Sequence, residues 1–338
     1  MQSSPKAAFS LGPVAVAGRV VLAPMSGVTD AGMRRIARRF GASLVVSEMV
    51  ASDEFVRGSA ESDLRAAGEG ISPHVVQLAG CDPHWMGEAA RVAEAAGADV
   101  IDINMGCPAK KVTGGYAGSA LMRDLDHAVR LIEATVAATS RPVTVKMRLG
   151  WDETSLNAPD LARRAEQAGV ALVTVHGRTR CQFYKGRADW GAIRAVRDAV
   201  SIPVVANGDV GTLDDARSIL EASGADALMI GRKALGRPWL VGQVAAGLEL
   251  GRDCPAPSLD DRRDAVLEHY DYLLTAYGTA VGVRHARKHL AAYAEDSAQA
   301  GFALPPEERQ RLVTSEDPHA VNRLIGRLYG AFAYDEAA

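Results

Sequence analysis

Cys107, set between Gly106 and Pro108 at the end of the run VIDINMGCP, is the residue around which chemistry is most readily built. The apolar Val100, Ile101 and Ile103 read as a buried strand, so the thiol is delivered to a loop whose backbone is constrained by its neighbours. Lys110, Lys111, Gly114 and Gly115 follow, a basic and pliant segment suited to closing over a substrate. The same residues also suit an ordinary buried cysteine before a turn. Lys146, inside VTVKMR, is a lone ammonium in or above a sheet and needs an anionic partner. Three roles are open to it: pairing with a structural carboxylate, Schiff-base chemistry, or holding an electron-rich cofactor. His176 closes the run LVTVH without a Ser or Cys partner for a triad, which suits a structural histidine equally well. Asn207-Gly208 and Gly231-Arg232 each follow an apolar run and suit a phosphate, held by main-chain N–H groups and by the Arg232 guanidinium.

These residues sit at the ends of regularly spaced strand signals. Apolar runs at 20–25, 44–49, 74–79, 100–103, 142–148, 172–176, 203–207 and 227–230 alternate with amphipathic helical patterns, the clearest at 83–96, 126–139, 159–168, 190–199 and 213–222. Eight units in about 240 residues predict a (β/α)8 TIM barrel over residues 1–250. In such a barrel Met25, Gln77, Asn104, Cys107, Lys146, His176, Asn207 and Arg232 converge on the face built by the loops after the strands. A doubly wound sheet would not call for polar residues at nearly every strand end, and APMSG after the first run lacks its glycine fingerprint. The lead before Val20 reads as short and polar, and Arg34, Arg35, Arg38 and Arg39 read as a solvated helix face.

Beyond Gly251 the pattern changes. Pro255 and Pro257 mark a linker, and helical patterns at 259–277, 280–294, 307–314 and 320–332 predict a small all-helical domain over residues 251–338. Arg284, Arg287 and Lys288 at i, i+3 and i+4, with His285 and His289 one residue on, give one helix a basic side. The 338 residues are 48% hydrophobic and 23% charged, and no segment has the length and apolarity of a membrane span or the shape of a signal peptide. Four well-separated cysteines without a C-x-x-C pair suggest neither a zinc site nor a disulfide framework and fit a cytoplasmic protein. A net charge of -3 argues against a globally basic nucleic-acid coat, so RNA would have to meet a local patch.

The motifs APMSGVTD, VSEM, VVQLAG, DINMGCPAKKV, VKMRLGW, VHGRTR, ANGDV and MIGR run in order through the barrel segment, and VRHARKHLAAYA lies in the tail. In that order they resemble the tRNA-dihydrouridine synthase family, specifically its bacterial B-type branch. The resemblance implies a flavoenzyme that carries FMN and uses NADPH to reduce the C5–C6 bond of a D-loop uridine in tRNA. It implies that Pro24, Met25, Gln77, Lys146, His176, Asn207, Gly208, Asp209, Gly231 and Arg232 bind FMN and that Cys107 is the catalytic acid, giving a proton to C5. The uridine must be drawn out of the folded tRNA. Asn104 is then expected at the uracil edge, and Arg178, Arg180 and Lys185, with Arg284, Arg287 and Lys288 of the tail, at the surrounding phosphates. No metal is expected. Other readings are an FMN barrel acting on a small pyrimidine such as dihydroorotate, a Schiff-base aldolase using Lys146, and a non-catalytic RNA-binding regulator. The basic helical appendage argues against the first, and the complete cofactor set against the last.

Overall fold

Short runs rich in valine, isoleucine and leucine suit parallel strands covered on both faces. A computed structural model describes residues 8–330 of the chain. Its strands are β1 (Phe9–Leu11), β2 (Val14–Val16), β3 (Val20–Leu22), β4 (Leu44–Ala51), β5 (Val75–Ala79), β6 (Val100–Met105), β7 (Val143–Arg148), β8 (Leu172–His176), β9 (Val204–Asn207) and β10 (Ala227–Ile230). The last eight close in chain order into one parallel barrel, with β10 returning to β3. Helices fill the outer ring, the last of them Leu240–Leu250. The TIM barrel expected from the alternating pattern is present.

Register puts the chemistry side by side. Gln77 pairs with Asp102, Asn104 with Lys146, Arg148 with His176, and His176 with Asn207. Because side chains alternate along a strand, Asp102 and Asn104 share one face of β6, and Thr144, Lys146 and Arg148 share one face of β7.

One region differs from the sequence reading. The lead is not a polar tail: β1 and β2 form an antiparallel hairpin, and Phe9, Leu11 and Val16 are buried against the strand starts Val21, Leu44, Val75, Val100 and Leu172. Burying each such side chain contributes ~1.5–3 kcal/mol, enough to hold so short a hairpin across the barrel floor. The polar stretch after β4 folds into two short helices, Ser52–Val56 and Ala60–Ala66.

The tail consists of helices Leu259–Tyr277, Thr279–Gln299, Pro306–Thr314 and Pro318–Leu328; the end of the pattern expected at 320–332 lies outside the described residues. Its apolar core also takes in Ile36 and Trp239 of the barrel, and the Trp239 ring stacks on Tyr293 at 6.2 Å. No helix among the described residues is long and apolar enough to cross a membrane.

A buried polar knot ties tail to barrel. Asp30 caps helix Ala31–Arg39 by accepting the Met33 N–H at 3.0 Å, and its other oxygen lies 3.0 Å from His269 Nε2 and 3.7 Å from His289 Nε2. His269 Nδ1 is 2.9 Å from the Tyr293 hydroxyl. Burial pushes the Asp30 pKa up, but attraction to His269, the hydrogen bond from it, His289 and the Met33 N–H together hold the carboxyl well below its ordinary value. His289 therefore does not belong to a solvated basic side; burial and the His269 ring push it down to about 3, and it is neutral at pH 7. Arg34 is likewise buried rather than solvated, donating to the carbonyls of Thr29, Arg65 and Ala67.

Below the ordinary histidine value of 6.5, unfolded His289 takes up a proton that the folded protein refuses. Its effect on stability is absent above that pH and increasingly unfavourable as pH falls toward 3. The thermal unfolding midpoint of His289→Gln is therefore expected to drop less between pH 7 and pH 5 than that of the parent; equal drops would remove His289 from the pH response.

Candidate active site

The cysteine loop is fixed from both sides. Asn104, at the end of β6, turns its Oδ1 back to accept the N–H groups of Gly106 and Cys107 at 3.2 and 3.0 Å. Ser119 donates its N–H and its hydroxyl to the Cys107 carbonyl, and Arg148 Nε donates to the Gly106 carbonyl at 2.8 Å. Gly118 makes the return possible: its φ is +60°, and a Cβ there would come within 2.9 Å of the Cys107 carbonyl oxygen.

Under the loop runs a chain of hydrogen bonds. Asn104 Nδ2 donates to Gln77 Oε1 at 2.7 Å, Gln77 Nε2 to Asp102 Oδ2 at 2.6 Å, and the Thr144 hydroxyl to Asp102 Oδ1 at 2.6 Å. Burial pushes Asp102 up to about 6, against the two donated bonds and the nearby Lys146. Lys146 is pushed down to about 8, first by burial and then by Arg148, while Asp102 and Cys107 pull it back. Its ammonium donates to Asn207 Oδ1 at 3.2 Å, and Asn207 Nδ2 donates to the Met229 carbonyl at 2.8 Å. Burial holds His176 well below its ordinary value, assisted by Lys146, Arg148, Arg178 and Arg232, so its ring is uncharged at pH 7.

Above this floor lies a cleft of two lobes that share Pro24, Met25, Lys146, His176, Tyr184 and Arg232. One lobe, of about 390 Å³, ends on the Asn207–Val210 and Gly231–Lys233 segments. The other, of about 450 Å³, reaches Gln77, Asn104, Cys107 and Arg148. All eight strand-end residues predicted to converge line this cleft. Gly208 has φ +142°, and a Cβ there would lie 2.5 Å from that of Ala188, so only glycine lets the main chain run here. A short turn, Arg232–Ala234, starts where β10 ends, and the Arg232 and Lys233 N–H groups stand outside its own hydrogen bonding. A bare main chain beside guanidinium and ammonium groups is a surface for a phosphate, and the volumes are those of a cofactor-sized site.

The dihydrouridine synthase family profile matches residues 21–320. The chain belongs to the dihydrouridine synthase family. A protein of Rhizobium leguminosarum bv. phaseoli named as a probable tRNA-dihydrouridine synthase is 59% identical over 318 residues, 94% of this chain and 96% of that one. The tRNA-dihydrouridine synthase B of Xanthomonas axonopodis pv. citri is 49% identical, over 86% of this chain and 88% of its own. Among solved structures, morphinone reductase shares the fold at a TM-score of 0.52 and 15% identity, over 78% of this chain and 94% of its own.

The remaining expected residues differ in what they can reach. Arg178 departs from expectation. It is buried, forms a two-pronged pair with Asp209 at 3.0 and 2.6 Å, and donates to the carbonyls of Lys185 and Gly186. It cannot reach an RNA phosphate; it anchors the loop after β8 to the loop after β9. Asp209 has its carboxylate taken by Arg178 and the Ala188 N–H, with Arg232 3.5 Å away, so it sets the wall of the lobe of about 390 Å³. Arg180 lies over the rings of Trp151 and Phe183 at 4.7 and 4.5 Å, and the Lys185 side chain is exposed.

In the tail, Arg284 and Lys288 are exposed, and Lys288 Nζ lies 3.0 Å from where a Cβ on Gly27 would stand, at the barrel mouth. Arg287 is half-buried and turned toward Glu316 at 3.8 Å. Three site residues went unread in the sequence. Asp102 and Arg148 were legible from period two, lying two residues from Asn104 and Lys146 on the same strand faces. Tyr184 spans both lobes, with the Arg232 and Arg148 guanidinium groups 4.5 and 5.4 Å from its ring, and carries no sequence signal beyond being aromatic in a basic loop.

Removing one partner of a buried pair leaves the other uncompensated. Arg178→Ala is expected to cost about 3 kcal/mol or more in unfolding free energy, and Arg180→Ala clearly less, as read by chemical denaturation. Equal costs would contradict the anchoring role.

Proposed function

We propose that this protein reduces a D-loop uridine of cytoplasmic tRNA to dihydrouridine, with FMN in the two-lobed cleft, NADPH as reductant and Cys107 as proton donor. The observation that carries the reading is the placement of Cys107, on a loop pinned by Asn104, Ser119 and Arg148, in the same lobe as Lys146 and next to a phosphate-suited lobe. The cleft fits FMN in size, in its bare main chain at Gly208 and Gly231, and in the positive charge of Lys146, Arg232 and Lys233. When bound, FMN supplies the hydride that the uracil receives at C6.

The chain's own residues do the rest. Cys107 gives its Sγ proton to C5 of the ring. Lys146 stabilises negative charge where the two lobes meet, its ammonium steadied by Asn207. Neutral His176 offers a hydrogen bond without adding a further charge. Asn104 Nδ2 donates to Gln77 Oε1 and, at 3.8 Å, to the Met49 sulfur, a weak acceptor that a uracil oxygen replaces, while its own oxygen holds the cysteine loop. The Asn207–Val210 and Gly231–Lys233 segments hold the phosphate, and Arg284 and Lys288 extend the positive rim to the tRNA backbone.

The deciding experiment is an anaerobic spectrum of the flavin-loaded protein, reduced by NADPH and mixed with tRNA lacking dihydrouridine. Reoxidation by that tRNA but not by free uridine is expected; reoxidation by a free pyrimidine instead would move the reading to a small-molecule enzyme. Cys107→Ala is expected to keep flavin and NADPH oxidation while losing dihydrouridine formation by about 10²- to 10⁴-fold. Loss of flavin in that variant would give Cys107 a structural role. Arg284→Gln with Lys288→Gln is expected to weaken tRNA binding and make it less steep in salt, by roughly one unit of log–log slope for each phosphate no longer neutralised; an unchanged slope would mean that the tail does not touch the tRNA.

A further inference from the structure

Among the described residues Tyr116 is the most exposed large apolar side chain, at 72%. It stands on the segment that leaves Cys107 and returns to it at Ser119. Gly118 packs so closely on Cys107 that a Cβ there would lie 2.9 Å from its carbonyl oxygen and 3.3 Å from its Cβ, and Tyr116 lies two residues before it, so its Cα is within about 7 Å of that glycine. A tyrosine ring reaches further still.

The backbone of Tyr116 is left-handed, with φ +60°. Any side chain with a Cβ disfavours that conformation. The segment already carries glycine at 114, 115 and 118, and a glycine at 116 would remove the strain. Tyrosine here keeps a strained backbone and leaves a ring in water, which does nothing for the fold and points to a partner outside the chain. Lys110 and Lys111, both exposed on the same segment, give that partner its chemistry: a polyanion with flat faces.

We propose that Tyr116 stacks on a tRNA base flanking the target uridine, filling the gap that extrusion of the uridine leaves. The proposal rests on the function argued above and makes Tyr116 a positioning residue, not a catalytic one. Stacking there offsets the cost of drawing the uridine out and sets its ring against Cys107.

The test uses the flavin-loaded full chain. Tyr116→Ala is expected to lose about 10- to 100-fold in kcat/KM for tRNA, while Tyr116→Phe and Tyr116→Trp stay near the parent. Tyr116→Gly, which relieves the strain, is expected to lose as much as Tyr116→Ala. Flavin content and NADPH oxidation with oxygen as acceptor should be the same in all four. With 2-aminopurine next to the target uridine, fluorescence should be quenched on binding the parent and stay bright with Tyr116→Ala. Parent-like activity and quenching in Tyr116→Ala would overturn the proposal, as would a Phe variant as impaired as Ala, which would assign the effect to the hydroxyl. A parent that modifies no tRNA would sink the functional reading itself; an active parent matched by Tyr116→Ala sinks only the stacking.

Discussion

A carboxylate and an ammonium held inside one barrel are the constraint on which the site depends. Neither Asp102, buried, nor Lys146, half-buried at the cleft floor, can stand there without partners, and the barrel supplies them by register: Gln77 and Thr144 on Asp102, Asn207 on Lys146. The same register turns Asn104 toward Gln77, and Asn104 in turn holds the Cys107 loop. The position of the thiol is thus set by polar groups inside the barrel, three hydrogen bonds away from a buried charge.

The tail is joined to the site through a second buried charge. Asp30 follows directly on the Pro24–Thr29 loop, whose Met25 N–H donates to the Thr29 hydroxyl and whose Gly27 N–H donates to the buried Glu48. The carboxylate that receives His269 from the tail also starts the first helix after the cleft-lining loop. A shift of the tail must therefore strain that loop, and the basic residues Arg284 and Lys288 keep a fixed place relative to the cleft.

The barrel and its mouth were readable because parallel strands are nearly uniform apolar runs, so a polar residue at a strand end stands out. Helix Leu259–Tyr277 was read at its observed limits, its ends marked by Ser258 and Gly278. The floor hairpin was not, because strands of three residues interrupted by Gly12 and Pro13 give no periodicity to count. Arg34, Arg178 and His289 were misplaced at the surface for one reason: their partners are distant carbonyls and carboxylates, which only the closed fold brings to them. Asn104, in contrast, stands in the cleft as its strand-end position implies, while its grip on the cysteine loop depends on a turn that no residue pattern marks.

The β1–β2 hairpin has a consequence for traffic. With Phe9, Leu11 and Val16 filling the floor, the cleft is a blind pocket served from its mouth alone. In the reaction proposed above, a reductant and a macromolecular substrate must then take turns at a single door. In that reaction the reductant product has to leave before tRNA enters. Alternation between the two substrates would then follow from the barrel's closed end and not from any moving part.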